Sequence, residues 1–120
     1  MRNSIRVGLI IGSLLASNAM AAQLNCRVSA KQTFGNWTPD CFGVSMVLNN
    51  KPTSVSFRID NLAAPVKQVI WSNAPTCSAT STSCAFPLYP YNPYQLSATV
   101  LYQNGTYEEV SATATYETGF

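Results

Sequence analysis

The 120-residue chain contains no histidine. This removes the side chain most used as a general base near neutral pH, the commonest metal ligand and the usual activator of a serine or cysteine nucleophile. Charge is also scarce, at 10% of residues. No two cations are adjacent, so the clustered positive charge that displaces counterions from phosphates is missing and a nucleic-acid partner is disfavoured. Asp40 and Asp60 stand alone and supply no calcium loop. Glu108-Glu109 is the one acidic pair. On a strand, adjacent side chains point to opposite faces, so these two would not flank one glycosidic bond. The expectation is a non-catalytic protein with no cofactor and no metal.

Long apolar runs are absent except at the start. Arg2 and Arg6 precede the apolar stretch 7–16, and Asn18-Ala19-Met20-Ala21-Ala22 follows. A basic region, a short apolar region and small residues form a secretory signal peptide, and the run is shorter than the about 20 residues a membrane span requires. Residues 1–22 are read as this leader, cut after Ala21 or Ala22, with 23–120 as a single domain. Cys26 follows Gln23-Leu24-Asn25, which lacks the small residue of a lipoprotein signal. The mature chain keeps Arg27, Lys31, Lys51, Arg58 and Lys67 against Asp40, Asp60, Glu108, Glu109 and Glu117, so the formal charge of +2 belongs to the leader. Secretion or a periplasmic location is expected, without membrane insertion after cleavage.

Beyond the leader no segment carries apolar residues at helical spacing over three turns. Short alternating runs broken by Pro, Gly and Asn predict strands at Leu24–Ala30, Cys41–Leu48, Ser54–Asp60, Val66–Trp71, Cys84–Leu88, Gln95–Gln103 and Tyr107–Glu117. Seven strands with turn signals every 8 to 12 positions, roughly, are the pattern of an immunoglobulin-like antiparallel sandwich.

The last two strands fix their own pairing. Leu96, Ala98, Val100 and Tyr102 are apolar at even positions, and so are Val110, Ala112, Ala114 and Tyr116. A two-residue Asn104-Gly105 turn would set Val100 opposite Glu109 and Ala98 opposite Ser111. A one-residue slip inverts a strand's faces. A three-residue loop, with Gly105 left-handed in a bulge, pairs Tyr102 with Thr106 and Ala98 with Val110, and is the one expected.

The segment Pro93-Tyr94-Gln95-Leu96-Ser97-Ala98-Thr99-Val100, the Asn-Gly turn and Val110-Ser111-Ala112-Thr113-Ala114 resemble the last two strands of bacterial Ig-like and PKD-type domains. Val69-Ile70-Trp71 sits where that family places a tryptophan on its third strand. The resemblance spans about half the mature chain. It implies the sandwich fold, a core role for Trp71 and a tyrosine corner at Tyr94, whose hydroxyl bonds back to the chain. After Trp71 the chain reads Ser72-Asn73-Ala74-Pro75 rather than a PKD glycine run, and Gln95–Gln103 lacks the cysteine of the antibody inter-sheet bridge. A shorter stretch, Asn25-Cys26-Arg27-Val28-Ser29-Ala30 with Phe34-Gly35-Asn36-Trp37-Thr38-Pro39, resembles the opening of spore-coat-U and related pilin-like secreted domains, a family that implies assembly by strand donation.

Four cysteines in a secreted chain imply two disulfides, for which three connectivities exist. Proximity favours Cys26–Cys41 and Cys77–Cys84. Without Cys-x-x-Cys spacing or histidine, zinc and redox catalysis are poor alternatives. The unusual segment is Phe86-Pro87-Leu88-Tyr89-Pro90-Tyr91-Asn92-Pro93-Tyr94, four aromatics and three prolines in nine residues. Prolines hold such a backbone extended, and exposed tyrosines anchor interfaces or stack on sugars. Tyr89 and Tyr91 are therefore the candidate contacts to a protein or carbohydrate partner, with Trp37 as a third. Phe86 and Tyr94 are expected to face the core. Asn36-Trp37-Thr38 and Asn104-Gly105-Thr106 match the glycosylation sequon. The reading is an all-β, disulfide-stapled binding module of bacterial type. A pilin-like or envelope subunit and a secreted hydrolase inhibitor are the alternatives.

Overall fold

The structure is a computed structural model and describes residues 21–30, 32–74 and 76–119. The expected leader lies outside these residues apart from Ala21 and Ala22, and so does Pro75 of the Asn73-Ala74-Pro75 break. All regular structure among the described residues is strand: β1 (Gln23–Ser29), β2 (Gln32–Phe34), β3 (Asp40–Ser45), β4 (Thr53–Asp60), β5 (Val66–Ser72), β6 (Ser83–Leu88), β7 (Tyr94–Tyr102) and β8 (Tyr107–Thr118). They form a three-stranded sheet, β1-β4-β6, and a five-stranded sheet, β2-β3-β8-β7-β5. The two pack as a sandwich.

Alternation decides which side chains fill it. In β7 and β8 the even positions Leu96, Ala98, Val100, Tyr102, Val110, Ala112, Ala114 and Tyr116 are buried. From the other sheet come Leu24, Cys26 and Val28 of β1, Val55, Phe57 and Ile59 of β4, and Leu88 of β6. Each buried Val, Leu or Phe contributes roughly 1.5–3 kcal/mol through apolar area removed from water. Three rings bridge the layers: Phe57 stacks on Phe86 at 5.4 Å between centroids, and Phe86 meets Tyr94 at 4.6 Å. The Cys26–Cys41 disulfide ties β1 to β3, hence one sheet to the other, with both cysteines fully buried. Cys77–Cys84 fastens the connection between β5 and β6.

The hairpin of β7 and β8 has the expected register, with Ala98 opposite Val110. The Tyr102 N–H donates to the Thr106 carbonyl at 2.9 Å and Gly105 sits at φ +88, so the loop is the bulged three-residue form.

Three expectations need correction. Eight strands are present rather than seven. The extra one, β2, is only three residues long and carries no readable period; it folds back on β3 with Phe34 opposite Phe42. The sandwich is not wholly antiparallel either, because β3 runs parallel to β8 from Asp40–Thr113 to Ser45–Thr118. Strand direction across such a separation is a property of the closed fold and leaves no local pattern. Finally, the strand expected over Cys41–Leu48 stops at Ser45. Its ladder partner β8 ends at Thr118, directly opposite Ser45, and among the described residues the ladder goes no further, so Met46, Val47 and Leu48 leave the strand.

Candidate binding site

Two loops close on the last residues of β8 from opposite edges. On the β3 side, the Gly119 N–H donates to the Ser45 carbonyl at 2.9 Å. The Thr118 hydroxyl, fully buried, donates to the Asn49 carbonyl at 3.0 Å. Asn49 in turn donates its amide to the Val47 carbonyl at 3.0 Å and accepts the Lys51 N–H at 2.9 Å. This pins both ends of a short loop and pushes its middle outward: Met46, Val47 and Leu48 are 60%, 68% and 76% exposed. Three consecutive apolar residues do not alternate in and out, and this break in period two is the sequence signal that sets them apart from the strand expected over Cys41–Leu48.

On the β7 side stands the Tyr/Pro segment. The Tyr91 N–H donates to the Tyr116 carbonyl at 2.8 Å, and the Tyr91 hydroxyl donates to the Thr118 carbonyl. Tyr91 holds φ +58, a left-handed conformation uncommon for a bulky residue, and its two bonds to β8 keep it there. Its ring nevertheless stays largely exposed, and so does that of Tyr89. The end of β8 is thus flanked by aliphatic side chains on one edge and by tyrosines on the other.

Trp37 is not brought to this end. Its loop is held to β1 by the Trp37 N–H donating to the Cys26 carbonyl at 2.8 Å. The Arg58 guanidinium lies over the Trp37 ring, 3.9 Å from its centroid, and Arg58 also pairs with Asp60 at 3.1 Å. Asp60 accepts the Asn25 amide at 2.5 Å. Beside this cluster, Ser56, Ser83 and Ala85 line a shallow depression of about 440 Å³. Arg58, which covers Trp37, is five residues along β4 from Thr53, which opposes Leu88 beside Tyr89, a rise of roughly 17 Å along the strand.

Tyr94 opens β7, half-buried, with its ring on Phe86. Trp71 lies on the edge strand β5, half-buried against the core, and its indole N–H donates to the Ser78 carbonyl at 3.0 Å. The tyrosine that ties distant segments together is Tyr102. Its hydroxyl donates to Glu108 Oε2 at 2.5 Å and accepts the Ala63 N–H at 3.3 Å. Burial first, and then the bond to Glu108, raises its phenol above the ordinary range, while the Ala63 N–H acts the other way. Glu108 and Glu109 take opposite faces as expected, the first half-buried and the second exposed. The Asn104 carboxamide accepts the Thr106 N–H and hydroxyl at 3.0 and 2.6 Å, closing its own turn.

All four cysteines are in the two expected disulfides. Among the described residues no three His, Cys, Asp or Glu side chains group as a metal would need, and no catalytic constellation is evident. Comparison with models of known protein families finds no match, and neither does comparison with curated protein sequences. The described residues form a disulfide-linked, two-sheet all-β domain with exposed apolar side chains at the end of β8.

Proposed function

We propose that the chain is an exported, non-catalytic binding module, bacterial and Ig-like in type, that takes a protein partner at the end of β8. One observation carries the reading: Met46, Val47 and Leu48 are all more than half exposed and share this end with exposed Tyr89 and Tyr91. Large apolar side chains gathered on one surface mark an interaction site more often than scattered ones do. Tyrosines and methionine are enriched at the centres of protein interfaces. The topology supports the Ig-like assignment. With β2 and β3 set aside, β1-β4-β6 and β8-β7-β5 correspond to strands A-B-E and G-F-C of that sandwich. A protein is favoured over a glycan because the aliphatic trio offers a sugar no hydrogen bonds. In addition, the Trp37 face on which a sugar would stack carries Arg58.

The test uses Val47→Ser and Tyr89→Ala, whose exposed side chains leave stability within about 0.5 kcal/mol. Native protein as bait should retain a discrete partner from the host's exported fraction, and both variants should lose it. Retention undiminished by both variants would place the contact elsewhere. Sedimentation showing concentration-dependent polymers of the native chain alone would instead favour the assembly reading.

A further inference from the structure

Glu108 lies half-buried on the inner side of β8, opposite Val100 of β7. Its Oε2 accepts the Tyr102 hydroxyl at 2.5 Å, and its Oε1 accepts the backbone N–H of Ala22 at 2.8 Å. Both donors are neutral. Among the described residues the one ion pair is Arg58–Asp60, so this carboxylate is drawn partly out of water without a cation beside it. A partly buried charge gains most from a charged, hydrogen-bonded partner, and such bonds are roughly twice as strong as neutral ones.

The missing cation is one bond away. Ala19-Met20-Ala21 has small residues at the two positions a leader peptidase reads, and it ends immediately before Ala22. We propose that the chain is cut between Ala21 and Ala22, and that the ammonium freed on Ala22 pairs with Glu108 as the mature N-terminus. In the cut, water adds across the Ala21–Ala22 amide under an exported-leader peptidase. The Ala21 carbonyl leaves with the leader as a carboxylate, and the Ala22 nitrogen, taking up protons, becomes the ammonium. That nitrogen already sits at hydrogen-bonding distance from Oε1, so cleavage adds charge to an existing contact. Ala21 is exposed, which leaves the bond open to the enzyme. Cleavage one residue later would carry Ala22 away, remove the donor from Oε1 and set Met20 in the place of Ala19. The proposal rests on the leader read from the sequence and goes beyond the binding reading.

The exported full chain is the material for the test. Intact mass and N-terminal sequencing should find Ala22 first. A start at Gln23 or elsewhere overturns the chosen bond, and an uncut chain overturns the leader reading itself. The pairing is read separately, as the rate at which a small acylating reagent modifies the α-amine, followed on the N-terminal peptide. Glu108→Gln should raise that rate about tenfold, the change that one pKa unit on the amine produces. Glu109→Gln, on the opposite face, should leave it unchanged. Equal rates in Glu108→Gln and native protein, both verified as folded by their melts, would overturn the pairing while leaving the cleavage site standing.

Discussion

Tyr102 is the side chain on which several distant segments converge. It is almost fully buried, and a buried hydroxyl left without a partner costs about 1–3 kcal/mol. Here it has two partners, Glu108 as acceptor and the Ala63 N–H as donor, so the chain between β4 and β5 is held against β7 and β8. Tyr102→Phe keeps the ring and removes both bonds; it should lower stability by roughly 1–3 kcal/mol at neutral pH. The phenol is raised above its ordinary value, first by burial and next by Glu108. Its stabilisation is therefore fully present below the unfolded value of about 10 and is lost as pH climbs through the higher folded value. Urea melts across the alkaline range should show native stability falling from about pH 10 upward and a shallower fall in Tyr102→Phe. Equal slopes in the two proteins would assign the alkaline loss to other groups.

At the scale of elements, two glycines do different work. Gly105 sits at φ +88 in the β7–β8 loop, where an added Cβ would touch nothing within 4 Å. Gly105→Ala therefore carries only the left-handed backbone penalty of roughly 1–2 kcal/mol, and Gly105→Asn should recover part of it. Gly43 has an ordinary φ but stands where β3 crosses beneath β1. A Cβ there would meet Val28 Cγ1 at 2.6 Å and Ala30 Cβ at 3.1 Å. Gly43→Ala should cost about 1–3 kcal/mol by overpacking. Combined with Val28→Ala, which itself loses buried methyl groups, the total loss should fall short of the sum of the two single losses, because the nearest clashing atom is gone. Equilibrium melts in a double-mutant cycle check this; strictly additive losses would mean that β3 is held off β1 by something other than the Val28 methyl. Gly43 offered no signal in the sequence, whereas Gly105 was legible from its turn and the phase of the flanking residues. Close approach between segments is a three-dimensional fact, and a glycine-bearing turn is a local one.

For the whole molecule the two disulfides should fail in order. Cys26–Cys41 closes 15 residues, is fully buried and joins the sheets; Cys77–Cys84 closes 7 and is half-buried. In the chain-entropy model the first contributes about 3 kcal/mol and the second about 2. A thiol reductant applied to the native protein should open Cys77–Cys84 first and leave Cys26–Cys41 intact until the sandwich unfolds. Trapping the free thiols with an alkylating reagent and mapping the peptides reads the order directly. Early labelling of Cys26 would show that the two sheets separate more easily than their packing implies.

Whatever depends on neighbouring residues is legible in the chain before it folds. The even-position alternation of Leu96 to Tyr102 and Val110 to Tyr116 set both faces and the bulged register, since a slip by one residue would bury serine and glutamate. Cysteine proximity gave both pairings, and the absence of histidine and of clustered charge narrowed the chemistry. Tertiary structure alone decided what depends on where distant segments meet. It laid β3 parallel to β8, ended β3 at Ser45 opposite Thr118, and left Met46, Val47 and Leu48 exposed at the end that Tyr91 clasps. It also separated Trp37 from Tyr89 and brought the Ala22 nitrogen to Glu108, 86 residues away in the chain. Periodicity reports which face a residue takes, but only the closed sandwich sets which segments share an end, because that follows from how the two sheets stack.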